Sequence, residues 1–275
     1  MLKKCYSQIA IIARLIYVYL WREYKINSRY KLNFYSRLTY SVVNNLFLLL
    51  FLPLFYQSEI HTLIGTRNYV AYILLGLVYS ICDIAIIAPA SELEYEMRAR
   101  WLEYVFTCPI SFYTYLLSKG IGRVIWMSTS SLIILIIALA FLPSLSPASI
   151  ALYVLVFLAT LTITAQIGII FGLIALLKRR VRGLHVLFSL GMRFLTGMIV
   201  PLQLLPPALR VLSLLFPLTF SIDLSRHFLL NTSTLLPIHI EASIFTFYMV
   251  IYVLITLHLM KTIIWKARIE GITYM

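Results

Sequence analysis

Long apolar runs alternate with short polar and basic segments along the whole chain. Six windows are apolar over roughly the 20 residues that a helix needs to cross a bilayer at about 1.5 Å per residue. They lie at Leu38–Tyr56, Tyr69–Pro89, Lys119–Leu142, Ile150–Leu177, Leu184–Pro201 and Ala242–Ile264. The pattern therefore predicts an all-α membrane protein with six transmembrane helices.

The first 37 residues do not fit a span, because the apolar stretch Ile9–Trp21 is short and contains Arg14. Polar and apolar residues recur there every three or four positions, which places them on different faces of one helix. We predict an N-terminal interfacial helix within residues 1–37, lying along the membrane surface. A signal peptide is the alternative, and Arg14 and the lack of a small-x-small cleavage site disfavour it.

The stretch after the fifth window is too long for one span and too polar for two. Prolines interrupt it at positions 201, 206, 207 and 217, and charged residues occur at positions 210, 223 and 226. Proline breaks a helix because it lacks the N–H donor and its ring clashes with the preceding turn. We predict a broken pair of short helices over 202–230 that enter the outer leaflet and return.

The composition supports a lipid environment. Of the 275 residues, 61% are hydrophobic and 12% are charged, and the mean hydropathy is +0.93. Soluble domains average about 45–50% apolar and about 25% charged residues. A soluble fold of this size could not bury so much apolar surface.

The net charge of +13 would suggest nucleic-acid binding in a soluble protein, but its distribution indicates membrane topology. About nineteen Lys and Arg residues fall before the first window, in alternate loops and near the C-terminus, whereas three fall in the opposite loops, Arg67, Arg210 and Arg226. The positive-inside rule then predicts that both termini lie in the cytoplasm. We expect the membrane to be the plasma membrane.

Candidate chemistry within the chain is sparse. The three cysteines, Cys5, Cys82 and Cys108, have neither disulfide nor metal-site spacing. No G-x-x-x-x-G-K-[ST] phosphate loop occurs, so ATP-driven work would need a partner protein. An intramembrane enzyme is disfavoured because no nucleophile or metalloprotease motif is present.

The segment 91–111 between the second and third windows carries the clearest helical pattern. Ser91 and Glu94 form a capping-box start, and Pro109 ends the helix. An apolar row and a charged row run side by side at i+4 spacing, Leu93, Met97, Trp101 and Val105 beside Glu92, Glu96 and Arg100. Such a helix suits docking in a partner's groove. A helix on the lipid headgroups is the alternative, and its acidic residues disfavour it.

Two stretches resemble the type-2 ABC exporter permeases, in the drug-exporter-like branch. The first reads Glu96-x-x-x-x-x-Leu102-Glu103, then Thr107-x-Pro109-Ile110-Ser111. The second reads Leu195-Thr-Gly197-x-x-x-Pro201-x-x-x-Leu205-Pro206, then Phe216-Pro217. Arg100 and Trp101 stand where the family usually has Gly and Thr, and Thr196 stands where Ser is common.

The resemblance implies one permease domain over 1–275 that pairs as a homodimer or heterodimer. It also implies two partner ABC ATPase subunits, which would carry the ATP and Mg²⁺, while this chain holds no cofactor. The segment 91–111 would be the coupling helix, and 202–230 would form the outer gate. The residues expected to meet the ATPase are Glu92, Leu93, Glu96, Met97, Arg100, Trp101 and Glu103.

Polar residues inside the predicted spans are the remaining candidates for function. Asp83 and Arg193 lie at similar depths, and an ion pair, a polar cavity and a proton-coupling site are all open for them. Asn44 and Asn45 would line the pathway or bond a neighbouring helix. Pathway or gating roles are also expected for Pro201, Pro206 and Pro207. A secondary transporter that uses Asp83 is the alternative function, although the two related halves typical of that class are not found.

Overall fold

Helices make up all the regular structure in the described part of the chain. The computed structural model of the protein describes residues 2–64, 68–108, 110–142, 146–178 and 182–270. In chain order the helices are α1 Leu2–Arg29, α2 Lys31–Ile64, α3 Tyr69–Val78, α4 Ile81–Arg98, α5 Leu102–Thr107, α6 Phe112–Met127, α7 Thr129–Ala140, α8 Pro147–Lys178, α9 Arg182–Leu195, α10 Pro207–Ser213, α11 Pro217–Leu230 and α12 Ile238–Glu270. A short 3-10 turn, Leu202–Leu204, precedes α10.

Three helical segments are long and apolar enough to cross a membrane, Tyr69–Arg98, Pro147–Lys178 and Ile238–Trp265. Two bent pairs also pass if each is counted as one span, α6 with α7 at 53° and α10 with α11 at 94°. The described residues therefore hold three to five candidate spans by length and composition. Six spans remain a prediction, and the first predicted span falls in α2, whose side chains beyond Phe47 lie outside the described part.

The fifth predicted span is shorter than expected. It ends as a helix at Leu195 rather than Pro201, because Gly197 takes a φ of 78° that a continuing helix cannot accommodate. The 14 residues of α9 extend about 21 Å, against a hydrocarbon core of about 30 Å. The third predicted span also differs, since its helix begins at Phe112 and bends near Ser128.

The N-terminal interfacial helix ends earlier than predicted. It stops at Arg29, and α2 begins at Lys31, so the predicted limit at residue 37 lies inside α2. Its Tyr19 packs against Gly122 of α6, where an added Cβ would approach the Cβ of Tyr19 to 2.9 Å. One side of α1 is thus held by the bundle, while Trp21 and other apolar side chains stay exposed.

The centre of the bundle is the contact between α4 and α8. Glycines on α8 face the backbone of α4, so the two helix axes approach closely. A Cβ built on Gly168 would lie 2.5 Å from the carbonyl oxygen of Ala85 and 2.9 Å from that of Ile86. The buried Ile86 and Ile163 extend this contact into the apolar core.

Gly168→Ala is expected to destabilise the fold by about 1–3 kcal/mol, because the clashing atoms are backbone and cannot rotate away. Gly172→Ala is the matched control, since its Cβ would meet Pro89 at an ordinary 3.6 Å. Thermal unfolding in detergent compares the two. Equal melting temperatures of the two variants would contradict this prediction, because they would show that α4 and α8 can move apart without loss of stability.

The broken segment after the fifth predicted span is more deeply buried in the protein than expected. The first ten residues of α11, Pro217–Arg226, are all buried, and the helix packs against α8, α12 and α3. The preceding α10 is exposed along most of its length. The prediction of two short helices is supported by this arrangement, but the second of them belongs to the core of the bundle.

Candidate functional site

A sharp turn follows α4 at the end of the bundle. The chain reverses at Arg100, whose φ of 58° lies in the left-handed region that favours glycine. The N–H of Trp101 closes the turn on the carbonyl of Glu96 at 3.0 Å. The family that the motif resembles usually has glycine at this position, and glycine adopts a positive φ freely. Arg100 adopts the same φ with some backbone strain.

Three aromatic side chains project from this turn and are mostly exposed. Tyr95, Trp101 and Tyr104 expose 60%, 57% and 72% of their surface, and we call them the aromatic tip. The rings of Tyr95 and Trp101 meet edge to face, with centroids 6.2 Å apart. Arg98 and Arg100 are exposed beside them. Large aromatics and arginine are the residues that most often anchor protein interfaces.

The predicted coupling residues divide into buried and exposed groups. Arg100 and Trp101 are exposed, Met97 is half-buried, and the side chain of Glu103 lies outside the described part. Leu93 is fully buried between α6, α8 and α12, so its predicted place in a docking row is wrong. The reason is that α4 stays inside the bundle to its last turn.

Glu92 and Glu96 are also buried, contrary to the predicted exposed charged row. Glu92 forms ion pairs with Arg22 of α1 and Lys119 of α6, each at 3.2 Å, and with Arg123 of α6. A buried carboxylate is tolerated when cations and hydrogen bonds satisfy it. Three helices thus meet at one carboxyl group.

Glu96 extends the same network by one helical turn. Its Oε1 accepts hydrogen bonds from Lys119 and from the hydroxyl of Tyr115. Arg22 also pairs with Glu23 at 2.8 Å, so three cations and three carboxylates balance in charge. We call this group the ionic cluster, Arg22, Glu23, Glu92, Glu96, Lys119 and Arg123.

The α1 side of the cluster keeps its protonation state through the neutral range. Burial raises the pKa of Tyr19, which packs on Tyr115, to about 12. Burial lowers the pKa of Arg22, but the hydrogen bond to Glu23 and the charge of Glu92 outweigh it and raise the pKa overall. Arg22 therefore remains a permanent cation that fastens α1 to α4.

Asp83 and Arg193 are brought together. The Arg193 Nε donates to Asp83 Oδ2 at 2.5 Å, and the Ser189 hydroxyl donates to Oδ1 at 2.9 Å. Asp83 is buried, whereas the Arg193 side chain is 39% exposed. Of the three interpretations left open by the sequence, this geometry corresponds to the ion pair.

The other predicted pathway residues lie apart from one another. Asn45 is buried and Asn44 is half-buried on α2. Pro201 is buried, while Pro206 and Pro207 are exposed at the start of α10. The structure does not gather these residues into a single site.

The family model described as ABC-2 family transporter protein matches residues 23–258. The chain belongs to this ABC-2 transporter family. That assignment supports a membrane subunit of an ABC transporter, of a kind that is generally not itself catalytic. A comparison with curated proteins found no match.

Several functional candidates in this ABC-2 family protein escaped the sequence analysis. The sequence pattern marks Lys119 only as the start of a predicted span, and it assigns no role to Ser189 or Tyr115. One signal was present, because Tyr115, Lys119 and Arg123 recur at i+4 on α6, as Glu92 and Glu96 do on α4. Two complementary charged faces on helices that are close in the chain, α4 and α6, favour an ion-pair network between them.

Proposed function

We propose that the chain is the transmembrane subunit of an ATP-binding-cassette exporter, driven by a separate ATPase subunit. It forms the translocation pathway as one half of a dimer in the plasma membrane, with both termini in the cytoplasm. The partner ATPase supplies the ATP and Mg²⁺. The export direction follows from the motifs around Glu96 and Gly197.

The aromatic tip carries this proposal. It stands at the turn that the motif resemblance and the basic loops assign to the cytoplasm. Its rings are exposed next to two arginines, in a chain that is otherwise poor in charge. We infer that the ATPase docks on Tyr95, Trp101, Tyr104 and Arg100.

The ionic cluster then gives the docked subunit a mechanical connection to the bundle. The tip is the direct continuation of α4, and α4 is joined through Glu92 and Glu96 to α1 and α6. A movement of the tip is therefore passed to three helices together. Buried ion pairs suit this role because they fix relative orientation more than they add stability.

The pathway is proposed to pass beside the Asp83–Arg193 pair, with Asn44 and Asn45 lining it and Pro201, Pro206 and Pro207 shaping its outer gate. The secondary-transporter alternative needs Asp83 to exchange protons. Arg193 and Ser189 both bind that carboxylate, so a proton taken up there would have to displace the ion pair with Arg193. The geometry therefore supports the ATP-driven proposal better.

Docking is tested with a triple variant, Tyr95→Ser, Trp101→Ser and Tyr104→Ser. Each change removes exposed aromatic surface and leaves the buried ionic cluster in place, so the spans should still insert. We expect at least about a tenfold loss of co-purified ATPase, because interface aromatics commonly contribute more than 1 kcal/mol each. The measurement is ATP hydrolysis and subunit content after affinity purification in mild detergent.

The matched control replaces with serine three similarly exposed tyrosines in α1, in α2 and between them, Tyr17, Tyr35 and Tyr30. It should retain the ATPase, since these residues lie outside the α4–α5 turn. Wild-type ATPase content in the tip variant, or an equal loss in the control, would contradict docking at the tip.

A further inference from the structure

A second buried group of acids lies where α11 is joined to α12. Glu241 is fully buried in the first turn of α12, and Asp223 is buried on α11. Asp223 binds the segment that leads into α12, and α11 packs on α12, so both carboxyl groups lie in one buried junction. Neither carboxyl oxygen of Glu241 makes a hydrogen bond of normal geometry to a described residue. The ABC-transporter proposal assigns no role to this pair.

The positive groups nearby are committed to other partners. The guanidinium of Arg226 stacks 3.8 Å from the ring centroid of Tyr72 on α3, and its Nε donates to the Tyr72 carbonyl at 3.1 Å. The His227 Nδ1 lies 2.7 Å from the Thr232 carbonyl. Among the described residues, no salt bridge reaches either acid. On α8, which also packs against α11, the titratable residue in the first half of the helix is Tyr153.

The loop between the two helices is held by Asp223 and His227 of α11. Asp223 Oδ2 accepts the backbone N–H of Leu235 at 2.8 Å, and the Thr232 carbonyl contacts His227. The segment 231–237 is thus attached to α11 at two points. Glu241 lies four residues after this segment ends, so the first turn of α12 lies at the same junction.

Two ionised carboxylates cannot share a buried site without a cation, because each charge loses its hydration and they repel each other. One proton resolves both problems. It neutralises one carboxyl and supplies the hydrogen-bond donor that the other needs, leaving a single negative charge beside Arg226 and the Leu235 N–H. Aspartic-protease dyads show that a carboxyl pair can hold one proton in this way.

We propose that Asp223 and Glu241 form one proton-binding site, and that the shared proton holds α12 and the segment 231–237 against α11. When the proton leaves, two like charges face each other and this junction opens. The protonated pair stabilises the fold, so stability is lost as the pH rises. The site is a property of the folded chain and does not depend on the ATPase.

The direct test is infrared difference spectroscopy of the purified protein against Glu241→Gln. We expect the wild type to show the C=O stretching band of a protonated carboxyl at neutral pH, and the variant to lose it. The substituted amide keeps the shape of the side chain and a donor toward Asp223, so the variant should fold. Absence of the band, or its persistence in Glu241→Gln, would overturn the proposal.

Thermal unfolding supplies the second readout. The wild-type melting temperature should fall by about 3 °C or more between about pH 6 and about pH 9, and Glu241→Gln should abolish that fall. His227→Gln is the control, because histidine titrates in the same range, and it should keep the wild-type fall. The proposal would be overturned if His227→Gln, and not Glu241→Gln, abolished the fall in melting temperature. It would also be overturned if Na⁺ stabilised the wild type at constant pH.

Discussion

Replacing Lys119 with Met is expected to destabilise the folded protein by about 3–5 kcal/mol, the usual cost of removing one partner from a buried ion pair. Among the residues that the structure describes, Glu96 would keep the Tyr115 hydroxyl, and its Oε2 already has no hydrogen-bond partner there. Glu92 would keep Arg22 and Arg123, so most of the loss arises at Glu96. Thermal unfolding and the yield of monodisperse protein measure the effect.

Two further variants show whether the loss of stability in Lys119→Met comes from the unpaired buried charge or from lost packing. Arg98→Met removes a mostly exposed cation from its pair with Glu94 and should cost about 0–1 kcal/mol. The double variant Lys119→Met with Glu96→Gln removes both charges and should recover much of the lost stability. A Lys119→Met protein as stable as Arg98→Met would show that the ionic cluster does not hold α4 to α6.

Arg193→Met is expected to have the second large effect, a loss of about 3 kcal/mol or more, because it leaves Asp83 buried with Ser189 as its remaining partner. Asp83→Asn should cost less, since the Arg193 side chain is 39% exposed and water can solvate it. Unfolding of the two single variants under the same detergent conditions measures this asymmetry.

The neutral double variant Asp83→Asn with Arg193→Met should restore stability better than a charge swap. A swap would place the longer arginine where the buried Asp83 side chain now fits, so it adds a packing cost. Equal stability of the two single variants would contradict the predicted asymmetry. A double variant no better than Arg193→Met would contradict electrostatic coupling between the two residues.

The two charged arrangements differ in how much the sequence could predict. Asp83 and Arg193 are conspicuous because each is an isolated charge in an apolar window, and their similar depths led to the ion-pair hypothesis. The ionic cluster is less conspicuous, because its residues fall outside the apolar windows or near the start of one, where charges are ordinary, and the i+4 spacing on α4 and α6 is its one signal. Glu92 lies 31 positions before Arg123 in the chain, and only the antiparallel packing of α4 on α6 brings them together.

The misplacement of Leu93 has a related cause. The i+4 row that joins Leu93 to Trp101 through Met97 correctly predicts a helix over most of that distance, but the helix ends at Arg98 and the turn at Arg100 redirects the chain. Leu93 therefore faces the core, while Trp101 points away from it. An i+4 pattern assumes one continuous helix. It does not reveal a turn when the residue with positive φ, here Arg100, is not glycine.

The sequence by itself determined that the chain is helical and lies in a membrane, and its motifs indicated the transporter family. The helical fold and the membrane location follow from total apolar length, which no soluble fold could bury. Only the tertiary structure decided which helix faces meet protein, which charges are paired and that α11 lies in the core. The physical reason is that lipid is as apolar as a protein interior, so an apolar side chain carries no information about which of the two covers it. That choice is made by small residues and buried charges on helices far apart in the chain, such as Gly168 against Ala85 and Lys119 against Glu96.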